Sequence, residues 1–270
     1  MIGTFEFTKM NGAGNDFIFC SGRCGADLTS GEIALLCDRK RGIGADGLIR
    51  IDKLPEDRLQ MKYFNSDGSP ADMCGNGLRC AMEYAAREGM AGTRAVFQTG
   101  AGILRAERLK PEWIRIEMPH PEAFQVFRIG EFTCSRTRVG VPHVIAPVSA
   151  LEGMDVAETG RRLRYAAEFA PEGANIDFVE AESPDRLSIR TYERGVEAET
   201  LACGTGITAA AAWLEHTYGG EKIKQIKTRG NDLLTVEFGK ECNILKEVFL
   251  TGPAEAVFHG VWEKTDSCDF

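Results

Sequence analysis

The stretch MCGNGLRC, residues 73–80, places a cysteine directly before two glycines and the start of a helical pattern. The stretch ACGTGITAAAAWL, residues 202–214, repeats this arrangement. After Cys74 and after Cys203, apolar residues fall at the same offsets of 4, 7, 8 and 11 positions. That spacing predicts a helix with one buried stripe in each copy. Gly89 and Gly219 stand where such helices would end.

Four further pairs of segments resemble each other in the same order along the chain. They are residues 42–49 and 172–179, 58–68 and 186–195, 99–107 and 228–237, and 113–119 and 247–253. Ordered repetition on this scale indicates two copies of one folding unit. Each copy is predicted to contain several strands, a central helix after the Cys-Gly-x-Gly turn, and a weaker helix. The weaker helices are expected at 30–39 and 155–168.

The duplicated pattern predicts an α+β fold of two pseudo-symmetric domains, each a mostly antiparallel sheet wrapped around a central helix. We expect a first domain of residues 1–119 plus 260–270, and a second domain of residues 120–259. Copies of one unit commonly pack about an approximate two-fold axis, and ligand pockets tend to form between domains. The active site is therefore expected in a cleft between the domains, with Cys74 and Cys203 facing each other.

Composition excludes several classes of function. The chain has 270 residues, a formal net charge of −8 and no dense run of Lys and Arg, which argues against a nucleic-acid partner. No signal peptide is recognisable, and no apolar run approaches the roughly 20 residues that span a bilayer, so no membrane association is expected. The nine cysteines are scattered without a CxxC pair. We therefore expect reduced thiols in a cytoplasmic protein and no metal site.

A thiol at a helix start has a specific chemistry. Unpaired N–H groups and the helix dipole favour negative charge there, so the thiol pKa is expected to fall from about 8.5 toward neutrality. The same N–H groups can hold a carboxylate. If an α-amino acid is held by both helix starts, one thiolate can remove the α-proton and the other thiol can protonate the opposite face. This inversion requires neither a metal nor a cofactor.

The segments KMNGAGNDF (9–17), FNSDGSPADMCGNG (64–77), YERG (192–195) and ACGTG (202–206) resemble the diaminopimelate epimerase family. The resemblance covers essentially the whole chain. It implies a cofactor-independent isomerase that interconverts LL- and meso-diaminopimelate in lysine and peptidoglycan biosynthesis. It also implies a small-molecule amino-acid substrate and a homodimer.

The resemblance implies roles for individual residues. Cys203 would abstract the proton in the LL-to-meso direction and Cys74 would donate one, while His143 and Glu193 would tune the thiol pKa values. The reacting carboxylate would be bound by Gly75, Asn76, Gly204 and Thr205. The far end of the substrate would be bound by Arg194 at the carboxylate and by Asn65, Asn175 and the Glu193 backbone at the ammonium group. Asn15 would line the site.

Two departures from the family pattern leave the substrate open. Val141 stands where many members have Asn, and Gly47 stands where some have Gln. A racemase for another amino acid, for example histidine, is one alternative, and an inactive amino-acid-binding paralogue is another. Arg194 favours diaminopimelate, because this cation is useful only to a substrate with a second carboxylate. Taken singly, Asn15, Asn65 and Asn175 also fit turn positions, and His143 fits a structural role.

Overall fold

The structure is a computed structural model that describes residues 4–22, 28–241 and 244–263. The chain forms two compact units. The first unit comprises the chain up to Ile116 together with the chain from Pro253 onward, and the second comprises Glu117–Gly252. No helix among the described residues is long and apolar enough to span a bilayer.

Among the described residues, the first unit contains eight strands before the chain leaves it, and two helices. In chain order these are β1 (Thr4–Gly12), β2 (Asn15–Ser21), α1 (Ser30–Cys37), β3 (Gly47–Lys53), β4 (Arg58–Asn65), β5 (Pro70–Ala71), α2 (Gly75–Arg87), β6 (Arg94–Thr99), β7 (Gly102–Lys110) and β8 (Trp113–Glu117). The pairs β2–β3 and β4–β6 are parallel. The pairs β1–β2, β3–β4, β4–β5, β6–β7 and β7–β8 are antiparallel.

The second unit repeats this plan. Its elements are β9 (Gln125–Ile129), β10 (Phe132–Val139), β11 (Val141–Pro147), α3 (Val156–Arg164), a 3-10 helix (Ala167–Phe169), β12 (Asn175–Ser183), β13 (Arg186–Glu193), β14 (Ala198–Thr200), α4 (Gly204–Tyr218), β15 (Ile223–Lys227), β16 (Leu233–Glu241) and β17 (Ile244–Pro253). The pairs β11–β12 and β13–β15 are parallel, and the other pairs are antiparallel. Because pairing and direction match strand for strand, the predicted duplication and α+β class are confirmed.

The last strand, β18 (Glu255–Glu263), returns to the first unit. It pairs antiparallel with β1 from Thr4↔Glu263 to Asn11↔Glu255, in the place that β9 occupies beside β10. The units therefore divide between Ile116 and Glu117 and between Gly252 and Pro253. The divisions expected from the sequence were 119/120 and 259/260. The second division lies earlier because β18 hydrogen-bonds to β1 along its length. Residues 264–270 of the expected first domain lie outside the described residues.

The two long helices are enclosed by their sheets rather than buried along one stripe. Every residue of α2 from Gly75 to Ala85 is buried, and α4 is buried from Gly206 to Leu214. The expected single stripe therefore underestimates the contact, since a helix at the centre of a curved sheet is covered on all sides. α2 packs on β1, β2, β3 and β7, and α4 packs on β10, β11, β12, β13 and β15.

Both helices end at the predicted glycines. Gly89 has a φ of +63°, which a left-handed C′ residue requires. The N–H groups of Gly89 and Met90 donate to Ala86 and Ala85, the two bonds of a Schellman motif. Gly219 also has a positive φ, of +69°. Both weaker helices are shorter than predicted. α1 stops before Asp38, because the Asp38 carboxylate accepts two backbone N–H groups of the following turn. α3 stops at Arg164.

Candidate functional site

Cys74 lies immediately before α2 in the first unit. Its backbone is extended, with φ −137° and ψ 124°, and its carbonyl oxygen accepts the first helical hydrogen bond, from Leu78. The side chain is partly exposed. The predicted position of a thiol at the N-terminus of the central helix is confirmed for this half of the chain.

The Cys74 thiol contacts an asparagine in β2. Its Sγ donates to Oδ1 of Asn15, at the start of β2, over 3.4 Å. Nδ2 of Asn15 donates in turn to Oδ2 of Asp46 over 2.5 Å. The backbone of β1 also lies close to the first turn of α2. A Cβ on Gly12 would lie 2.9 Å from the carbonyl oxygen of Asn76 in that turn. The first unit thus brings Asn15, Cys74 and the N-terminus of α2 together.

Cys203 occupies the equivalent position before α4 in the second unit. Its backbone is again extended, with φ −117° and ψ 111°, and Ile207 donates the first helical hydrogen bond to its carbonyl oxygen. The residue is 8% exposed. Its Sγ lies 3.5 Å from Oγ1 of Thr205. The repeated cysteine is therefore a helix-cap residue in both units.

The expectation of a lowered thiol pKa is wrong for Cys203. Burial raises the pKa of this thiol well above its ordinary value, and the negative charges of Glu193 and Asp177 raise it further. The Thr205 hydroxyl and the Gly206 N–H favour the thiolate but do not offset these effects. Desolvation penalises the charged form more strongly than a helix terminus stabilises it. The resting state of Cys203 is therefore a neutral thiol.

Asp177, in β12, lies among the predicted site residues of the second unit but was not predicted from the sequence. It is fully buried, and its Oδ2 lies 2.7 Å from Nδ1 of His143. Thr191 donates to its Oδ1 over 2.8 Å. The same oxygen lies against the first turn of α4, where a Cβ on Gly206 would come within 2.5 Å of it. The signal in the sequence is an acidic residue inside an otherwise apolar strand, NIDFV.

Asn175 connects His143 to the turn after β13. Its Nδ2 lies 3.4 Å from Nε2 of His143, and its Oδ1 accepts from the Arg194 N–H over 2.7 Å. Glu193 precedes this turn, and its Oε2 accepts from the Thr200 hydroxyl over 3.0 Å. The second unit thus joins the predicted residues His143, Asn175 and Arg194 by hydrogen bonds, and it places Glu193 close enough to Cys203 for its charge to act on the thiol.

The Arg194 guanidinium is weakly held. Its Nη1 lies 3.4 Å from Oε1 of Glu172, whereas Arg138 binds the other oxygen of that carboxylate over 2.7 Å. The Arg194 side chain is 26% exposed. Nη1 also lies 3.4 Å from the Glu172 carbonyl oxygen, and both contacts are longer than a strong charge-assisted hydrogen bond.

Asn65 and Gly47 are opposite each other on β4 and β3. The Asn65 Nδ2 donates to the Ser69 hydroxyl over 3.1 Å. A Cβ on Gly47 would lie 2.4 Å from the Phe64 carbonyl oxygen, so the close approach of β4 requires glycine here. The role of Asn65 as a site residue remains a prediction.

No cluster of three or more His, Cys, Asp or Glu side chains suited to a metal ion occurs among the described residues. None of the six cysteines that the structure describes forms a disulfide; they are Cys20, Cys37, Cys74, Cys80, Cys134 and Cys203. Only Cys74 among these six is not buried.

Comparison with known proteins identifies relatives along most of the chain. The sequence profile described as Diaminopimelate epimerase matches residues 7–121 and 136–257. The diaminopimelate epimerase of Chlorobaculum tepidum is 40% identical over 257 residues, covering 93% of this chain and 98% of its own. That of Aquifex aeolicus is 40% identical, covering 94% and 96%, and that of Archaeoglobus fulgidus is 37% identical, covering 94% and 95%.

Solved structures share the fold at low sequence identity. A phenazine biosynthesis protein of the PhzF family from Bacillus anthracis superposes with a TM-score of 0.73 at 17% identity, covering 96% of this chain and 99% of its own. A probable proline racemase from Agrobacterium radiobacter superposes with a TM-score of 0.69 at 11% identity, covering 99% and 94%. These likenesses show the two-unit fold alone.

Proposed function

The chain belongs to the diaminopimelate epimerase family, and from that premise we propose that it interconverts LL- and meso-diaminopimelate by a two-thiol mechanism. It is an isomerase, and its product serves lysine and peptidoglycan biosynthesis. One observation supports this mechanism, and it occurs in both units. In each unit a cysteine with an extended backbone is the N-cap residue of the central helix.

In the LL-to-meso direction, the Cys203 thiolate removes the α-proton and the Cys74 thiol protonates the opposite face of the same carbon. A raised pKa makes the Cys203 thiolate scarce at neutral pH but makes it a stronger base. That strength suits a weakly acidic α-proton. Glu193 contributes to the raised pKa through its charge. His143 acts less directly, through its contact with Asp177.

The reacting carboxylate is bound at the two helix starts, by the backbone of Gly75, Asn76, Gly204 and Thr205. Helix N-termini favour anions through their dipoles and N–H groups, and the negative charge that develops on the carboxylate in the transition state is stabilised there. No metal and no pyridoxal phosphate takes part, because the helix termini supply the electrostatic stabilisation.

The far end of the substrate is bound by the second set of predicted residues. Arg194 takes the distal carboxylate, and its long contact with Glu172 supports this role. Asn65, Asn175 and the Glu193 backbone take the distal ammonium group, and Asn15 lines the site beside Cys74.

The protein acts as a homodimer in the cytoplasm. The exposed apolar side chains Val257, Phe258 and Val261 on β18 support a subunit contact. The lack of disulfides among the six described cysteines supports a reducing compartment. Light scattering of the purified protein tests the dimer, and a monomeric mass would refute it.

A racemase for another amino acid is the second candidate, favoured by one observation. Neither Gly47 nor Val141 offers a polar side chain to the far end of a substrate, so discrimination there is reduced. A substrate panel of LL-diaminopimelate, histidine, lysine and proline, followed by chiral chromatography, separates the candidates. Turnover of diaminopimelate alone supports the epimerase, and preferred turnover of another member refutes it. Binding of diaminopimelate without exchange of its α-proton would identify a binding paralogue.

A further inference from the structure

The Asn15 amide faces the Cys74 thiol, and its orientation decides whether it offers the thiol an acceptor or a donor. An Asn side chain presents a carbonyl oxygen on one side and two N–H donors on the other, in nearly the same shape. In this structure the oxygen of Asn15 faces Sγ, and the thiol donates to it over 3.4 Å. An acceptor stabilises the protonated thiol and repels the thiolate. The reverse orientation would do the opposite, since an N–H group would stabilise the thiolate.

The carboxylate of Asp46 fixes this orientation. Its Oδ2 lies 2.5 Å from Nδ2 of Asn15. An ionised carboxylate only accepts hydrogen bonds, so the amide must turn its nitrogen toward Asp46. The oxygen of Asn15 is then left facing Cys74. The orientation of the Asn15 amide is therefore set by Asp46 and not by Cys74.

Asp46 is itself held in place from two sides. Its Oδ1 pairs with Nη2 of Arg39 over 2.7 Å, and its Oδ2 also accepts from the Asp16 N–H over 3.2 Å. Both terminal nitrogens of Arg39 donate hydrogen bonds to the Asp16 carboxylate, over 2.7 and 3.0 Å. Lys9 lies 2.7 Å from the same carboxylate. This arrangement leaves the Asp46 carboxylate little freedom to release Asn15.

The second unit has no such device at the equivalent position. Gly14 and Gly140 both have positive φ, and Phe17 and His143 both stand opposite the first residue of the next strand, Gly47 and Asn175. Asn15 therefore corresponds to Val141, which offers no acceptor side chain. Cys203 instead contacts the Thr205 hydroxyl and the Gly206 N–H, both able to donate. An amide oxygen held in place by a carboxylate is therefore found at Cys74 and not at the equivalent position beside Cys203.

We propose that Asp46 is a positioning residue that turns Asn15 so that its carbonyl oxygen keeps Cys74 protonated as the proton donor. The proposal rests on the proposed role of Cys74. When the Cys203 thiolate has taken the α-proton, the Cys74 S–H bond breaks, its proton forms the new C–H bond, and the sulfur keeps the electron pair as a thiolate. A thiol already ionised could not complete this step.

The test is the pH dependence of Cys74 alkylation by iodoacetamide in the whole protein, read peptide by peptide by mass spectrometry. Alkylation requires the thiolate and no turnover, so the result is independent of whether diaminopimelate is the substrate. Four proteins form a cycle: wild type, Asp46→Asn, Asn15→Ala and the double variant. The other charged groups of this region, Lys9, Asp16, Arg39, Arg79, Glu83 and Glu255, are the same in all four.

Asp46→Asn should move the Cys74 alkylation midpoint to lower pH by about one unit, a roughly tenfold faster reaction below both midpoints. In the Asn15→Ala background the same substitution should add no further shift. An unchanged midpoint in Asp46→Asn overturns the proposal. An equal shift in both backgrounds also overturns it, because the charge of Asp46 would then act through space without Asn15.

Two controls keep the result interpretable. Asp52→Asn removes a comparable carboxylate, paired with Arg50 over 3.0 Å on β3, and should leave the Cys74 midpoint unchanged. Cys80 reports folding in each variant, since it is fully buried and burial raises its pKa to about 12. Should Asp46→Asn expose Cys80 to alkylation, Asp46→Glu takes its place, because it keeps the charge and displaces the carboxylate, and an unchanged Cys74 midpoint in that variant overturns the proposal.

Discussion

Nδ1 of His143 lies 2.7 Å from Oδ2 of Asp177, and both side chains are completely buried. The carboxylate accepts the Nδ1–H, so Nε2 is left to face the amide of Asn175 at 3.4 Å. The amide oxygen of Asn175 then accepts the backbone N–H of Arg194. A carboxylate whose charge acts on Cys203 is thereby connected to the turn that carries Arg194.

Asp177→Asn should lower the pKa of Cys203. The negative charge of Asp177 raises that pKa in the native protein, so removing the charge lets the thiolate form at lower pH. The limb of the pH–kcat/KM profile that reports this base in the LL-to-meso direction should move to lower pH by about half a unit to one unit. An unchanged or higher midpoint would contradict this reading.

Thr191→Val is the matched control for that experiment. It removes the hydroxyl bond to Oδ1 of Asp177 and leaves the charge in place. Its pH profile should not move to lower pH, even if its rate falls. A profile that shifts as in Asp177→Asn would assign the effect to the hydrogen-bond network instead of the charge.

Gly206→Ala should destabilise the second unit and impair activity. The new Cβ would lie 2.5 Å from Oδ1 of Asp177, which His143 and Thr191 prevent from retreating. Overpacking of this kind typically costs about 1–3 kcal/mol. Urea denaturation and steady-state kinetics measure the two effects. Gly153→Ala, where an added Cβ meets nothing within 4 Å, should change neither; equal effects in the two variants would disprove the steric cause.

Arg194→Gln should raise KM for diaminopimelate and leave kcat nearly unchanged, because the distal carboxylate is bound equally in ground and transition states. A charge-assisted hydrogen bond contributes about 1.5–3 kcal/mol, or roughly ten- to a hundredfold in KM. Initial-rate kinetics measure it. Arg162→Gln removes an exposed pair with Glu131 and should be neutral. A fall in kcat with constant KM would place Arg194 elsewhere in the mechanism.

Cys74→Ala and Cys203→Ala should each abolish epimerisation but differ in isotope exchange. With Cys203 intact, the Cys74 variant can still remove the α-proton of LL-diaminopimelate and return a deuteron from D₂O to the same face. The Cys203 variant should exchange only the D-centre of the meso isomer. NMR of the recovered substrates measures both, and inversion by either variant at a wild-type rate would exclude that thiol.

Glu83→Gln should lower the stability of the first unit in a pH-dependent way. Burial acts to raise the pKa of Glu83, but its bonds to Arg108 and Arg87 outweigh burial and lower the net pKa. Its stabilisation is therefore present above the unfolded-state pKa, about 4.3, and is lost as pH falls through the lower folded-state pKa. Breaking a buried pair costs about 3–5 kcal/mol.

Urea unfolding at pH 7 and at pH 3 measures the Glu83 effect. The difference between wild type and Glu83→Gln should be large at pH 7 and smaller at pH 3. Glu56→Gln, at an exposed pair with Arg58, should change little at either pH. A difference that grows as the pH falls would reverse the assigned sign of the pKa shift.

The paired helices and their cysteines were predictable because both patterns are local. Helical periodicity after Cys74 and Cys203, and glycines at the C-terminal ends, depend on residues within a few turns. The repeat in turn predicted which strands correspond. The burial of α2 on all sides from Gly75 to Ala85 was not predictable, because the strands packed against it include β18, far away in the chain.

The amino-acid sequence by itself determined the duplicated α+β plan, the two thiols at helix starts and the membership of a family. Only the tertiary structure decided the environment of each thiol. Asn15 reaches Cys74 across 59 positions of chain, and Asp177 lies beside α4 through packing of β12. Ionisation depends on burial and on charges brought close by folding, which no local pattern encodes. For that reason the helix-start rule misjudged the pKa of Cys203.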